Sequence, residues 1–195
     1  MTIRTKTYIA FNADPKTGDM NYYNLMKAWK ERNEINFDFE DAHDLNNLRD
    51  GSQESTIKAK LKERMKAAKL LVLIVGSNTK YHFKYVRWEI EIAIEAGIPI
   101  IVCNTNDKRT IDTDLCPPIL KDELSMHVPF KADILQYSID NWPERHYRRK
   151  KEGVKSPRIW DDTVYIPLDA ERERKQKAKA AALQRLSQKN TTYTF

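Results

Sequence analysis

Glu89 is a carboxylate in a place that solvation alone does not account for. On a helical wheel at about 100° per residue, Val86, Ile90, Ala93 and Gly97 define the buried face of the helix that carries it. Glu91 and Glu95 fall about opposite that face, where solvated charges belong. Glu89 falls about 70° from the centre of the buried face, in the first turns of the helix, and so points toward the edge where loops converge. On the residues alone two readings stay open. An acid near a helix N-terminus offsets the helix dipole, worth about 0.3–1 kcal/mol. Alternatively the carboxylate faces a ligand.

Other chemistries fail on composition and spacing. The glycines are Gly18, Gly51, Gly76, Gly97 and Gly153, which form neither G-x-G-x-x-G nor G-x-x-x-x-G-K. An ordinary dinucleotide-binding Rossmann enzyme and a P-loop nucleotidase are therefore excluded. His43, His82, His127 and His146 are scattered, with no H-E-x-x-H, and no metal is expected. Ser77 lacks the following glycine of a G-x-S-x-G elbow. A phospho-receiver would want acids where Asn12 and Gly76 stand.

The elements that must position Glu89 can be read from periodicity. Tyr8-Ile9-Ala10-Phe11 reads as a first strand, closed by Asn12, Asp14 and Pro15. Tyr22, Leu25, Met26 and Trp29 give one apolar face to a helix over 20–32. Residues 35–39 read as a second strand, with a polar loop over 40–51 after it. Ser52 is the expected cap of a helix lined by Ile57, Leu61, Met65 and Ala68. Residues 70–75 are apolar at every position and 98–102 nearly so, as in central parallel strands covered by helices on both faces. Between them the helix over 85–96 closes at Gly97. This alternation predicts a doubly wound α/β parallel sheet.

Beyond Cys103 the pattern weakens. Residues 126–130 suit a fifth strand, 134–151 a helix or an insertion, and 164–168 a short extended piece. Asp169 is expected to cap a last helix running to about residue 188. The division expected is an α/β domain over 1–140 and a basic, partly helical extension over 141–195.

The chain has 195 residues, 41% hydrophobic and 32% charged, which suits one ordinary folded domain with an elaboration. Its net charge of +6 sits at the end, where residues 141–195 hold 14 Lys and Arg against 7 Asp and Glu. Residues 1–140 are close to neutral and give no support to a nucleic-acid groove. The basic end has no aromatic residues interleaved from Arg172 to Lys179, so a solvated appendage is expected there. With two cysteines, Cys103 and Cys116, no disulfide framework is expected. No apolar run reaches the ~18 residues of a membrane span, and a cytoplasmic protein is expected.

Three segments carry a resemblance. They are Val75-Gly76-Ser77-Asn78-Thr79, Tyr85-Val86-Arg87-Trp88-Glu89-Ile90 and Ala96-Gly97-Ile98-Pro99-Ile100-Ile101. Together they resemble the signature of TIR-like domains, in particular the TIR-like subunit of the bacterial Thoeris antiphage system, over about residues 5–105. The resemblance implies a flavodoxin-like fold and cleavage of the nicotinamide–ribose bond of NAD⁺, with Glu89 as the catalytic residue. NAD⁺ would be the substrate, with no separate cofactor and no metal. The product would be ADP-ribose or a cyclic ADP-ribose isomer, and the partner expected is either a second copy of the chain or a separate effector protein that responds to that product.

The resemblance also implies places for other residues. Phe11 and Asn12 would flank the nicotinamide end and Asp14 the ribose, while Asp41 and His43 would close over the ligand. Ser77, Tyr85 and Trp88 would line the pocket. Tyr85 stands where the family commonly has Trp, and Phe83 where Ser is common. Two alternatives belong beside this reading. One is a catalytically silent TIR-like adaptor. The other is a nucleoside deoxyribosyltransferase-like enzyme, which shares the fold and also turns a carboxylate on an N-glycosidic bond.

Overall fold

Six parallel strands form one sheet in the order β2-β1-β3-β4-β5-β6, as seen in a computed structural model. The structure describes residues 6–12, 18–36, 39–40, 53–77, 79–80 and 84–191. The strands are β1 (Lys6–Ala10), β2 (Phe39–Glu40), β3 (Ala68–Val75), β4 (Ile100–Asn104), β5 (Ser125–Pro129) and β6 (Arg158–Ile159). The helices are α1 (Asp19–Glu31), α2 (Glu54–Met65), α3 (Lys84–Glu95), α4 (Ala132–Lys151) and α5 (Asp162–Thr191), with a short 3₁₀ turn at Pro118–Leu120. The first five strands have the flavodoxin-like order, whose reversal lies between β1 and β3.

Residues 70–75 are fully buried, as an unbroken apolar run in a central strand requires. Each such Val, Leu or Ile contributes about 1.5–3 kcal/mol relative to exposure. Strand alternation sends neighbouring side chains to opposite faces. Phe11 stacks on Tyr23 of α1 with ring centroids 4.9 Å apart, whereas Tyr8 reaches Glu89 of α3. Helix α1 also meets the chain just after β5, with Phe130 against Tyr22 and Trp29 at 4.9 and 4.8 Å. On the other face α2 and α3 are tied by ion pairs between Lys84 and Glu54 and, at 2.9 Å, between Lys62 and Glu95.

Gly97 ends α3 with φ +66°, and the N–H groups of Gly97 and Ile98 return to the carbonyls of Ile94 and Ala93 at 3.0 and 2.9 Å. That pair of bonds closes a helix through a left-handed residue, which glycine adopts without cost to a side chain.

The structure corrects several sequence expectations. A turn with Asn33 at φ +55° comes after α1, and Ile35 is buried outside any strand, whereas β2 is described at Phe39–Glu40. Ala68 begins β3 instead of extending α2, which ends at Met65. Of the two readings for residues 134–151, the helix is the one the structure has, as part of α4. Ser52 lies outside the described residues, and Gln53 precedes α2 without a side-chain cap bond.

The chain divides into two compact units, Met1–Ile159 and Trp160–Phe195. Within the second, residues 164–168 are helical, not extended, and the cap is Asp161, not Asp169. Asp161 Oδ1 accepts the Thr163 N–H at 3.0 Å, and the Asp161 carbonyl accepts those of Val164 and Tyr165. With the first turn fixed from Asp161, Pro167 removes one N–H donor and the Ala-, Lys- and Arg-rich sequence carries the helix onward.

Candidate functional site

Glu89 lies in the second turn of α3 and is only 2% exposed. It is thus more deeply covered than a residue at the edge of the apolar face would be. Its Oε1 accepts a 2.9 Å hydrogen bond from the hydroxyl of Tyr8. Tyr8 sits in β1 opposite Glu40 of β2 and Leu71 of β3, and its ring is itself buried. A carboxylate removed from water needs such donors to hold its charge. The phenol also sets the direction in which the carboxylate faces. Glu91 pairs instead with Arg87 at 2.8 Å on the exposed side of the same helix.

A second carboxylate stands near the carboxyl ends of β1 and β3. Asp19 opens α1, is 1% exposed, and accepts the Thr79 hydroxyl at 3.1 Å through Oδ2. The Thr79 hydroxyl in turn accepts the Gly76 N–H at 2.8 Å, and the Thr79 N–H returns to the Gly76 carbonyl at 3.3 Å. These bonds lock the turn by which the chain leaves β3. Gly76 has to lack a side chain, because a Cβ there would lie 1.9 Å from Asp19 Oδ1. Burial raises the Asp19 carboxyl to about 6, against the lowering effect of hydrogen bonds from Thr79 and the Asn12 backbone.

The loop after β4 is fastened to the same edge. Thr105 donates both its N–H and its hydroxyl to the Val75 carbonyl, at 3.0 and 3.1 Å. Asn104 Nδ2 donates to the carbonyls of Lys108 and Thr110 at 2.9 and 3.0 Å. Asp112 anchors the next stretch of the loop. Burial works to raise its carboxyl, but bonds from Asn106, Lys108 and the backbone of Leu115 and Asp114 outweigh this and hold it below the usual carboxylate value. These loops therefore form a fixed rim for β1, β3 and β4.

The residues expected at the site occupy different settings. Phe11 and Asn12 come directly after β1 and are both buried, Phe11 by its stack on Tyr23 and Asn12 with its backbone against Asp19. Ser77 is exposed beside Gly76 at the end of β3. Tyr85 is half-buried and meets Trp88 edge-on, with centroids 5.3 Å apart. Trp88 is buried, with the ammonium groups of Lys58 and Lys84 over its ring at 4.8 and 5.2 Å. Its ring therefore serves the packing of α2 on α3, and cation–π attraction reinforces that packing. Asp14, Asp41 and His43 lie outside the described residues, as does most of the loop over 40–51.

Sequence reasoning missed Tyr8 and Asp19. Tyr8 reads as one more large residue in an apolar strand, and the hydroxyl on an otherwise apolar run was its only signal. Asp19 lies just before the helix read over 20–32, and no spacing singles it out. Among the described residues no group of three His, Cys, Asp or Glu side chains could hold a metal ion. Both thiols are buried, and burial raises Cys103 far above the usual thiol range and Cys116 to about 12, which disfavours the thiolate in both. No helix of the described residues is long and apolar enough to cross a membrane.

The described geometry is a flavodoxin-like sheet with a buried glutamate bonded to Tyr8 of β1 and, at the carboxyl ends of β1, β3 and β4, turns braced by Asp19, Thr79 and Thr105. A family model described as the TIR-like domain of Thoeris protein ThsB matches residues 8–110. The match covers β1 from Tyr8 onward, all of α1, β3, α3 and β4, and with them Asp19, Gly76 and Glu89.

Proposed function

The chain belongs to the Thoeris ThsB TIR-like domain family, and from that membership we propose that it acts in antiphage defence by cleaving the nicotinamide–ribose bond of NAD⁺. The observation that carries this reading is the carboxylate of Glu89, desolvated in α3 and aimed by the Tyr8 hydroxyl. Nicotinamide leaves from a pyridinium nitrogen that already bears positive charge, so departure calls for no general acid. The reaction needs a group to hold the ribose and to balance the positive charge that grows on it. A carboxylate in a low-dielectric setting does both, as carboxylates do in glycoside hydrolysis. Capture of the sugar by water gives ADP-ribose, and capture by another atom of the same molecule gives a cyclic isomer. Either product would serve as a signal to another Thoeris component.

In this reading Glu89 is the catalytic residue and Tyr8 a positioning residue. Asp19, Thr79 and Gly76 fix the turn that presents Ser77. Incubating the protein with NAD⁺ and identifying the products by mass spectrometry tests the proposal. Release of nicotinamide with a matching ADP-ribose species supports it, and intact NAD⁺ in the presence of the other Thoeris components contradicts it.

One observation favours a second reading, an adaptor that works by association. Glu89 is almost fully covered and its carboxylate already engages Tyr8, as a purely structural buried acid would. The same incubation separates the two.

A further inference from the structure

At the opposite edge of the sheet, where the chain enters β4 and β5, a cavity of about 350 Å³ lies between the ends of α3 and α4. Ile98, Ile100 and Leu124 give it an apolar floor, and Lys150, Lys155, Glu123 and His146 give it polar walls. His146 is 4% exposed, and neither of its ring nitrogens has a hydrogen-bond partner among the described residues. Its ring is held edge-on by Trp142 and Tyr147, at 5.7 and 5.4 Å between centroids. A neutral imidazole carries one donor and one acceptor, and burying both unmade is costly. A protein interior rarely tolerates this away from a ligand or water site.

Lys150 stands one turn beyond His146 on α4. Its Nζ lies 2.9 Å from the point where a Cβ on Gly97 would sit. Gly97 thus serves twice, closing α3 at φ +66° and leaving space for an ammonium group at the cavity. Two ammonium groups against one carboxylate give the walls a positive balance beside an apolar floor.

We propose that this cavity binds a small organic anion. Its phosphate or carboxylate sits between Lys150 and Lys155, its apolar part lies on Ile98, Ile100 and Leu124, and its polar edge meets His146. Ligand sites run from about 300 to 1,000 Å³, and a cavity at the low end admits about one ring with its acidic group, not a dinucleotide. The site is therefore separate from the one that contains Glu89.

The test is a titration of the full chain, carrying ¹⁵N-histidine and methyl-labelled isoleucine, with phenyl phosphate, benzoate and inorganic phosphate in turn. Saturable shifts of the His146 ring and the Ile98 and Ile100 methyls with either organic anion are expected. Whichever of the two binds tighter identifies a phosphate ester or a carboxylate as the natural acidic group. Lys150 and Lys155 are exposed, so the double variant Lys150→Met, Lys155→Met keeps the fold, and it should weaken binding at least about tenfold. His146→Phe should remove the remaining affinity if it folds, and the lysine variant decides if it does not. The proposal is overturned by the absence of saturable shifts up to about 10 mM, which would fill even a millimolar site. It is equally overturned by unchanged affinity in the lysine variant, or by inorganic phosphate binding as tightly as both organic anions.

Discussion

The Tyr8 hydroxyl donates a 2.9 Å hydrogen bond to Glu89 Oε1 across 81 positions of sequence, joining strand β1 to helix α3. Both groups are buried, so the bond is sheltered from competing water. Tyr8→Phe keeps the ring and deletes the donor. Leaving a buried group short of its partner costs about 1–3 kcal/mol, and thermal or urea denaturation should show a loss of that size. Nicotinamide release should fall about tenfold, corresponding to ~1.4 kcal/mol at the barrier. Unchanged stability would mean that the bond does not form in solution.

Asp19 gives the stability a pH dependence of known sign. Its folded value of about 6 lies above its ordinary 3.8, so the native state holds the proton more tightly. The contribution of Asp19 is therefore fully present below pH ~4 and is lost as pH rises through ~6. His127 and His146, both lowered to about 4 by burial, act in the opposite sense over pH ~4 to 6.5. The readout is thus the difference between wild type and Asp19→Asn in urea denaturation at several pH values. That difference should change between pH ~4 and 6 and be flat above pH ~7. A difference flat throughout would contradict a raised Asp19.

Gly76 and Gly153 make a matched pair of tests. Alanine at 76 meets Asp19 Oδ1 at 1.9 Å, whereas at 153 it meets nothing within 4 Å and bears only the strain of φ +74°. Gly76→Ala is expected to cost about 1–3 kcal/mol through overpacking and to disturb the turn at Ser77. Gly153→Ala is expected to cost about 1–2 kcal/mol, with no effect on that turn. Chemical denaturation measures both costs, and amide shifts around Thr79 separate the two mechanisms.

The two thiols should be silent. Burial raises both, and neither side chain is exposed, so a thiol reagent should label native protein far more slowly than protein in denaturant. Fast labelling of either cysteine under native conditions would show that its strand or loop opens readily.

The sheet was legible because β3 and β4 are apolar at nearly every position, the pattern expected of a parallel strand covered on both faces. Gly97 marked the end of α3 for the equally local reason that a left-handed residue was needed. Glu89 was visible through its angle on the wheel, although the angle understated its burial because it carries no information about Tyr8. The bond from Tyr8, the Asp19–Thr79 contact and the ring nitrogens of His146 join residues from different elements, and no local periodicity encodes such meetings. The start of α5 was misread because Pro167 and the apolar residues around it resemble a strand, while the capping by Asp161 that overrides them depends on one side-chain bond.

The most direct measurement is nicotinamide release from NAD⁺ by wild type, Glu89→Gln and Glu91→Gln, assayed together with the other Thoeris components. Glutamine preserves the size of Glu89 and an acceptor for Tyr8 but removes the charge that the proposed reaction requires beside the ribose. The loss expected when one preorganised electrostatic group is removed is about 10²–10³ in rate. Glu91 shares the helix but pairs with Arg87 at 2.8 Å on its exposed side, so Glu91→Gln should leave the rate within about twofold, as surface pairs contribute little. Folded Glu89→Gln protein that releases nicotinamide as fast as wild type would contradict the account.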